Sequence, residues 1–427
     1  MAKSGLTTEL FIKNRSKLIS GFGDNDCCIV FSNDEMPRNG DQYFPYRQSS
    51  DFYYLTGIEQ EKSILILAPG HPEKKLREVL LILESNPMIE TWVGHKLTID
   101  EARELSGIQN VIFLGTYENT LNNLMRGVQT VFLNIPEIPK FNPEIVTRDV
   151  RLSKQLQDKY PLHRYERLAP HLMKLRMVKE PEEIETIQIA CNITRDAFNR
   201  VLKMIRPGIY EKEIEAEISY EFHRQGATHA YPPIVGSGKN ACILHYTVNN
   251  QVCRDGDLVL MDFGAEFSNY AADCTRTIPV NGKFTERQAE IYDRLHLIFK
   301  NAIKLMEPGR TMEEVHKNIC REMQEFHIDI GLYTRKELKG SDPASPLWFK
   351  YYMHGSGHSI GLDVHDIYDK EAKFSPGMVF TCEPAIYIAD EGLGIRIEND
   401  ILITLEGNLD LMAGIASERS EIEKLML

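Results

Sequence analysis

Between residue 196 and the last strands the chain repeats itself, and the repeat limits the kind of domain it can build. A helical stretch, Asp196–Ile205, ends at Pro207-Gly208 and restarts over Glu211–Gln225, closed by Gly226. Later, Leu297–Met306 ends at Pro308-Gly309 and restarts over Met312–His327. Proline breaks each helix and the glycine after it permits the turn. Each helical pair precedes a glycine turn, a short apolar strand and an acid six residues after the glycine: Gly256 to Asp262, and Gly377 to Glu383. A second acid follows in each half, Asp273 in Asp-Cys-Thr-Arg-Thr and Glu398 in Ile-Arg-Ile-Glu-Asn-Asp, and is expected on the next strand. Helix, helix, then acid-bearing strands, twice over, predicts a pseudo-symmetric domain with its acids between the halves.

These acids stand among Leu, Val, Met, Phe, Cys and Ile. A single Asp or Glu is ordinarily a surface group. Four in apolar settings, doubled and joined by His358, are not, because buried charge must be paired or must coordinate metal. Two divalent cations meet that demand, so Asp262, Asp273, His358, Glu383 and Glu398 read as the ligands of a dinuclear metal hydrolase. Hard oxygen donors with one imidazole suit manganese better than a thiolate-seeking metal.

The rest of the chain bounds the alternatives. Its 427 residues suffice for two or three domains. A formal charge of −13 gives no footprint for nucleic acid or for an anionic membrane. No apolar run approaches the ~18 residues of a membrane span, and the N-terminal residues carry no signal-peptide pattern. The eight cysteines lack paired spacing and read as reduced, buried thiols. A cytoplasmic protein is expected. Strands over Cys27–Ser32, Ser63–Ala68, Val79–Glu84, Val111–Leu114 and Thr130–Ile135, with helices over Leu6–Ile19 and Asp100–Ser106, predict an α/β N-terminal domain over 1–172. Pro161–Val178 reads as helix-rich, and Pro181 followed by acids as a helix start. The second domain is placed at 173–427.

Three motifs point elsewhere and fail. Gly357-His-Ser359-Ile-Gly361 matches a nucleophile elbow, which needs the chain order Ser, acid, His. The only histidine after Ser359 is His365, six residues on. Gly236-Ser-Gly238-Lys239 resembles the end of a P-loop, but Asn240 replaces the hydroxyl residue that would hold magnesium. His354 and His358 have zinc-helix spacing, but Gly355 and Gly357 argue against helix. His245, His354 and His365 are the remaining histidines of interest, since neutral imidazoles beside a metal can move protons or steady an oxyanion.

These segments, with His245-Tyr, Met-Asp262-Phe-Gly, His354-Gly-x-Gly-His358, Val-His365-Asp, Glu383-Pro and Gly-Ile-Arg396-Ile-Glu398-Asn-Asp, resemble the pita-bread metallopeptidases, and most nearly the aminopeptidase P branch, the Xaa-Pro aminopeptidases. Phe44-Pro-Tyr-Arg-Gln-Ser-Ser-Asp-Phe-Tyr-Tyr-Leu-Thr-Gly57 looks like the N-terminal signature of that family. The resemblance implies a creatinase-like α/β N-terminal domain, an α+β pita-bread catalytic domain with a pseudo-two-fold repeat, two divalent metals, commonly manganese, and dimers or tetramers. It implies hydrolysis of the bond before a proline in second position. Glu383 would accept a proton, His245 and His365 handle protons and the oxyanion, Tyr231 and His354 hold the proline, and Arg396 orient Glu383 and Asp262. Prolidases share both domains and are the nearest competitor; a metal-free binding protein on the same fold is a further alternative. No family residue is carried onto the segment Gly331–Phe349.

Overall fold

The computed structural model describes residues 5–135, 137, 144–342 and 345–427. Met1–Ser4 of the N-terminal stretch and Pro343 of the segment after Gly331 lie outside them. The chain divides into two compact units, with Leu6–Arg176 forming one and Met177–Leu427 the body of the other.

In Leu6–Arg176 six strands form one sheet, in the order Val111–Phe113, Glu78–Ile82, Ile64–Leu67, Asp26–Phe31, Thr130–Leu133, Arg164–Arg167. The central Asp26–Phe31 runs antiparallel to Ile64–Leu67 and parallel to Thr130–Leu133. Their unbroken apolar runs are buried on both faces, as covered strands require. The Phe44–Gly57 signature contains the short helix Ser50–Thr56, which ends at Gly57 with φ of 67°. Only glycine fits there: a Cβ would lie 2.3 Å from the Phe11 ring. The stretch Pro161–Val178 differs from its reading. Arg164–Arg167 is the edge strand of the sheet and the helix starts only at Ala169. Its side chains are mostly exposed, so no hydrophobic alternation announces it. What makes it a strand is the free edge of Thr130–Leu133.

The second unit begins with the helix Pro181–Met204. Pro181 is its first residue, and Glu180 and Glu183 form a capping box across the first turn. This helix packs against Glu211–Arg224, and Glu286–Leu305 packs against Met312–Asp329. The two helical pairs of the repeat are therefore present; the first helix of each starts well before its expected run, while the second starts where expected and ends within two residues of its expected end. Leu258–Phe263 lies between Ile234–Ser237 and Cys274–Pro279, with Asp262 opposite both Ile234 and Thr275. In the other half Asn399–Thr404 lies between Val379–Cys382 and Gly407–Asp410. A bridge between Thr275 and Glu398 joins the halves where the acids stand. Buried Arg276 reinforces that seam, donating to the carbonyls of Thr275, Glu398, Ile415 and Ala416 and to Asn399. Among the described residues no helix is long and apolar enough to cross a membrane. All eight cysteines are free thiols, and seven are buried.

Candidate active site and metal centre

Asp262 is carried on the strand Leu258–Phe263, and Glu383 stands one residue beyond the strand Val379–Cys382. The second acids were expected on following strands. Instead, Asp273 and Glu398 each stand one residue before a strand, Cys274–Pro279 and Asn399–Thr404, and a small hairpin separates Asp262 from Asp273. At a strand end the backbone is already fixed by the ladder while the side chain is free to turn inward.

Ligand atoms of Asp273, His358 and Glu398 all lie within 4.8 Å of one another. His358 Nε2 is 3.5 Å from Asp273 Oδ2 and 3.9 Å from Glu383 Oε1. The other ring nitrogen, Nδ1, lies 3.1 Å from the Ser359 carbonyl. A carbonyl only accepts, so Nδ1 carries hydrogen and Nε2 is the atom offered to the acids. Tyr231 spans the first pair, its hydroxyl 2.6 Å from Asp262 Oδ1 and 2.5 Å from Asp273 Oδ1.

Arg396, 5% exposed, organises the other side. It donates through Nη2 to Asp262 Oδ2, through Nε to Thr275 Oγ1 at 2.9 Å, and through Nη1 to the Tyr387 hydroxyl at 2.8 Å. Thr275 in turn donates to Glu398 Oε2 at 2.6 Å. His354 lies with Nδ1 2.7 Å from the Gly355 carbonyl and Nε2 3.0 Å from the Tyr387 hydroxyl. Burial, with the Arg396 charge, pushes His354 down to about 3, so the ring is neutral. Its Nε2 therefore accepts, and the hydrogen bonds run in one direction, Arg396 to Tyr387 to His354. Nδ1 of the same ring is 3.4 Å from Glu383 Oε2.

The electrostatics show what this cluster suits. Burial, then the charges of neighbouring acids, raises Glu398 well above the usual carboxylate range, and burial with the Asp273 charge raises Asp262 against the pull of Arg396. Burial raises Glu383 to about 7. For His358 burial works downward, but the hydrogen bond to Asp273 and the charges of Glu383 and Asp273 outweigh it and hold the ring at about 9. Acids that keep protons for want of positive charge are a donor set suited to divalent cations. Oxygen and imidazole donors of this kind fit a hard or borderline ion.

The remaining sequence candidates are placed as follows. His365 is exposed, its ring centroid 4.2 Å from that of His358 at a steep angle. His245 is also exposed, on a loop near enough to His354 for its charge to lower the His354 pKa. Tyr231, expected at a proline, has its hydroxyl committed to the two acids. Ser359 is fully buried with its hydroxyl unpartnered, in a bridge with Phe380, and no histidine stands on it. The elbow motif is coincidental. Gly238, with φ of 53°, opens a short 3-10 turn rather than a phosphate loop, and His354–His358 is not helical. Thr275, Tyr387 and Asp400 were not singled out from the sequence. Asp400 accepts from the Asp273 backbone at 3.1 Å. Thr275 and Asp400 each stand two residues after an acid ligand candidate, the spacing that keeps side chains on one face of a strand. Tyr387 offered no such signal.

The model of metallopeptidase family M24 matches residues 185–405, and that of the aminopeptidase P N-terminal domain matches residues 11–132. The chain belongs to metallopeptidase family M24. It is 35% identical to the Xaa-Pro aminopeptidase of Escherichia coli (strain K12), over 99% of each chain. It is 31% identical to human Xaa-Pro aminopeptidase 3, over 94% of this chain and 81% of that one. The solved structure of E. coli aminopeptidase P with the inhibitor Pro-Leu matches with a TM-score of 0.89 at 34% identity, over 99% of this chain and 98% of that one. A zinc-substituted E. coli aminopeptidase P in complex with product matches with a TM-score of 0.88. The fold is thus the α/β N-terminal domain and pita-bread catalytic domain of the M24 aminopeptidases, and the protein is a metal-dependent hydrolase.

Proposed function

We propose that this metal-dependent aminopeptidase releases the first residue of peptides whose second residue is proline, using two divalent cations held by Asp262, Asp273, His358, Glu383 and Glu398. The observation that carries the reading is the buried, doubled acid set with His358 Nε2 turned into it. Manganese is the metal favoured by the oxygen-rich donors. When bound, the cations supply the positive charge that acidifies water and polarises the scissile carbonyl.

The chain's own groups do the rest. Glu383 accepts the proton of the attacking water and passes it toward the leaving nitrogen; its Oε1 faces His358 and its Oε2 faces His354. Arg396 holds Asp262 directly and Glu398 through Thr275, so one guanidinium keeps an acid of each half in place. Tyr231 fixes Asp262 against Asp273. Neutral His354, oriented by Tyr387 and lying beside Glu383, is the ring that holds the proline. His365 and His245, exposed at the rim, handle the proton and steady the tetrahedral oxyanion. A homodimer or homotetramer in the cytoplasm completes the proposal; eight free thiols fit a reducing compartment.

The test combines metal analysis with cleavage profiling. Purified protein should carry two metals per chain, and Asp262→Asn should lose metal and activity together. Xaa-Pro-Yaa tripeptides should be cleaved with a higher kcat/KM than the free Xaa-Pro dipeptide, since that ratio reports transition-state binding. A preference for the dipeptide would make the enzyme a prolidase, and full turnover by metal-free protein would remove the metal assignment.

A further inference from the structure

We propose that Lys179 and Asp366 form a buried tether that positions His365 for the reaction, which makes both of them positioning residues. The proposal rests on the role given to His365 above.

Asp366 directly follows His365, and Lys179 Nζ lies 3.1 Å from Asp366 Oδ2 with both side chains 1% exposed. The lysine is held at both ends, because its backbone nitrogen donates to the Gly377 carbonyl at 2.9 Å. Asp366 is fixed as tightly: its backbone nitrogen donates to the Ser359 carbonyl at 2.8 Å, and Oδ1 accepts from Ile367 at 3.0 Å. Between them the chain turns at Gly361, whose carbonyl accepts from the Ala271 nitrogen at 2.8 Å. A Cβ at Gly361 would lie 2.4 Å from Asp366 Oδ2 and 2.9 Å from Lys179 Cε. Glycine there keeps open the lane through which the lysine reaches the acid. A second acid, Glu183, is near enough to feel both charges and is satisfied by the Tyr270 hydroxyl at 2.8 Å and the Glu180 nitrogen.

The segment from His358 to Asp366 is therefore closed at its far end by an ion pair hidden from solvent, and His365 emerges from it at the rim with its ring against His358. Stability alone does not explain such a pair. Taking two charges out of water is costly, and apolar groups of the same volume are often as stable or more so. What the charges add is direction, since a hydrogen-bonded ion pair fixes where Asp366 sits and hence where the neighbouring imidazole points.

The experiment uses the metal-loaded full chain, an Xaa-Pro-Yaa tripeptide, and the variants His365→Ala, Asp366→Asn and the combination of both. Asp366→Asn should keep its metal and its KM within about threefold while kcat falls about tenfold or more, a proton-transfer loss of the usual size. In the His365→Ala background the same change should cost nothing further, because the tether acts through His365. The paired variant Lys179→Met with Asp366→Leu removes both members of the ion pair together, and Glu183 keeps its hydrogen bonds to Tyr270 and Glu180. It should melt within a few degrees of wild type yet retain the kcat loss. Full kcat in that paired variant, or a loss from Asp366→Asn that persists without His365, overturns the tether. Full kcat in Asp366→Asn beside a slow His365→Ala overturns the tether alone and leaves His365 its role. Full kcat in His365→Ala removes the role of His365 and the tether with it.

Discussion

Cation binding and proton release must be coupled in this site, and the coupling has a calculable size. Without cations His358 sits at about 9 and Glu383 at about 7, yet a ligand imidazole must be neutral and a ligand carboxyl ionised. At pH 7 the ring must give up a proton it holds by about two pH units, which costs roughly a hundredfold in affinity. Affinity should therefore climb about tenfold per pH unit or more between pH 7 and pH 9, where His358 titrates, and more steeply below 7, where Glu383 joins it. Binding should release about one proton per chain at pH 8 and about two at pH 6. Asp262 and Glu398, also shifted upward, can only add to these numbers. Calorimetric titration of the metal-free protein with manganese, in buffers of different ionisation enthalpy, counts the protons directly. Binding that releases no proton at pH 7, or an affinity flat from pH 7 to pH 9, would refute the reasoning. It would mean that the donor set is not poised as the burial and contacts require.

Three further outcomes are expected. Tyr231→Phe removes the hydroxyl that spans Asp262 and Asp273 and should weaken metal binding by about tenfold to a hundredfold, read in a metal titration. Ser359→Ala deletes a buried hydroxyl with no partner, so the melting point should hold or rise and activity should persist, while chelators abolish it. His327 is fully buried and pushed down from 6.5 to about 3 by burial. Its unfolded form takes a proton that the folded form refuses, so stability is complete above pH 6.5 and falls as the pH drops below it. The loss is about 1 kcal/mol for the first pH unit below 6.5, and His327→Phe should flatten that part of the denaturation profile.

How much was legible in advance varies with the kind of information. The ligand candidates could be named because they are acids and an imidazole placed where the surrounding residues are apolar, a conflict that a single segment displays by itself. The duplicated helix pairs and the strands of the N-terminal sheet were legible for the same reason, since hydrophobic period and proline-glycine breaks are local. Arg164–Arg167 was not, because its pairing partner lies some thirty residues away and its own side chains are polar. Arg276 reads as ordinary surface charge in a strand, yet it is buried and donates to the Glu398 carbonyl more than a hundred residues distant. Arg396 was named through the family resemblance, but its hold on Glu398 through Thr275 was not.

The sequence alone therefore determined the chemistry available: four carboxylates and an imidazole as candidate ligands in two related halves, three nearby histidines, and no workable serine triad. Tertiary structure decided how that chemistry is aimed. It chose Nε2 of His358 by giving Nδ1 a carbonyl, committed the Tyr231 hydroxyl to two acids, and kept His354 neutral through burial and the Arg396 charge. It also left His245 and His365 exposed while enclosing Asp366 one residue away. Residue type and spacing are written along the chain, but burial, hydrogen-bond direction and the charge felt at a site are sums over neighbours that only the folded chain brings together.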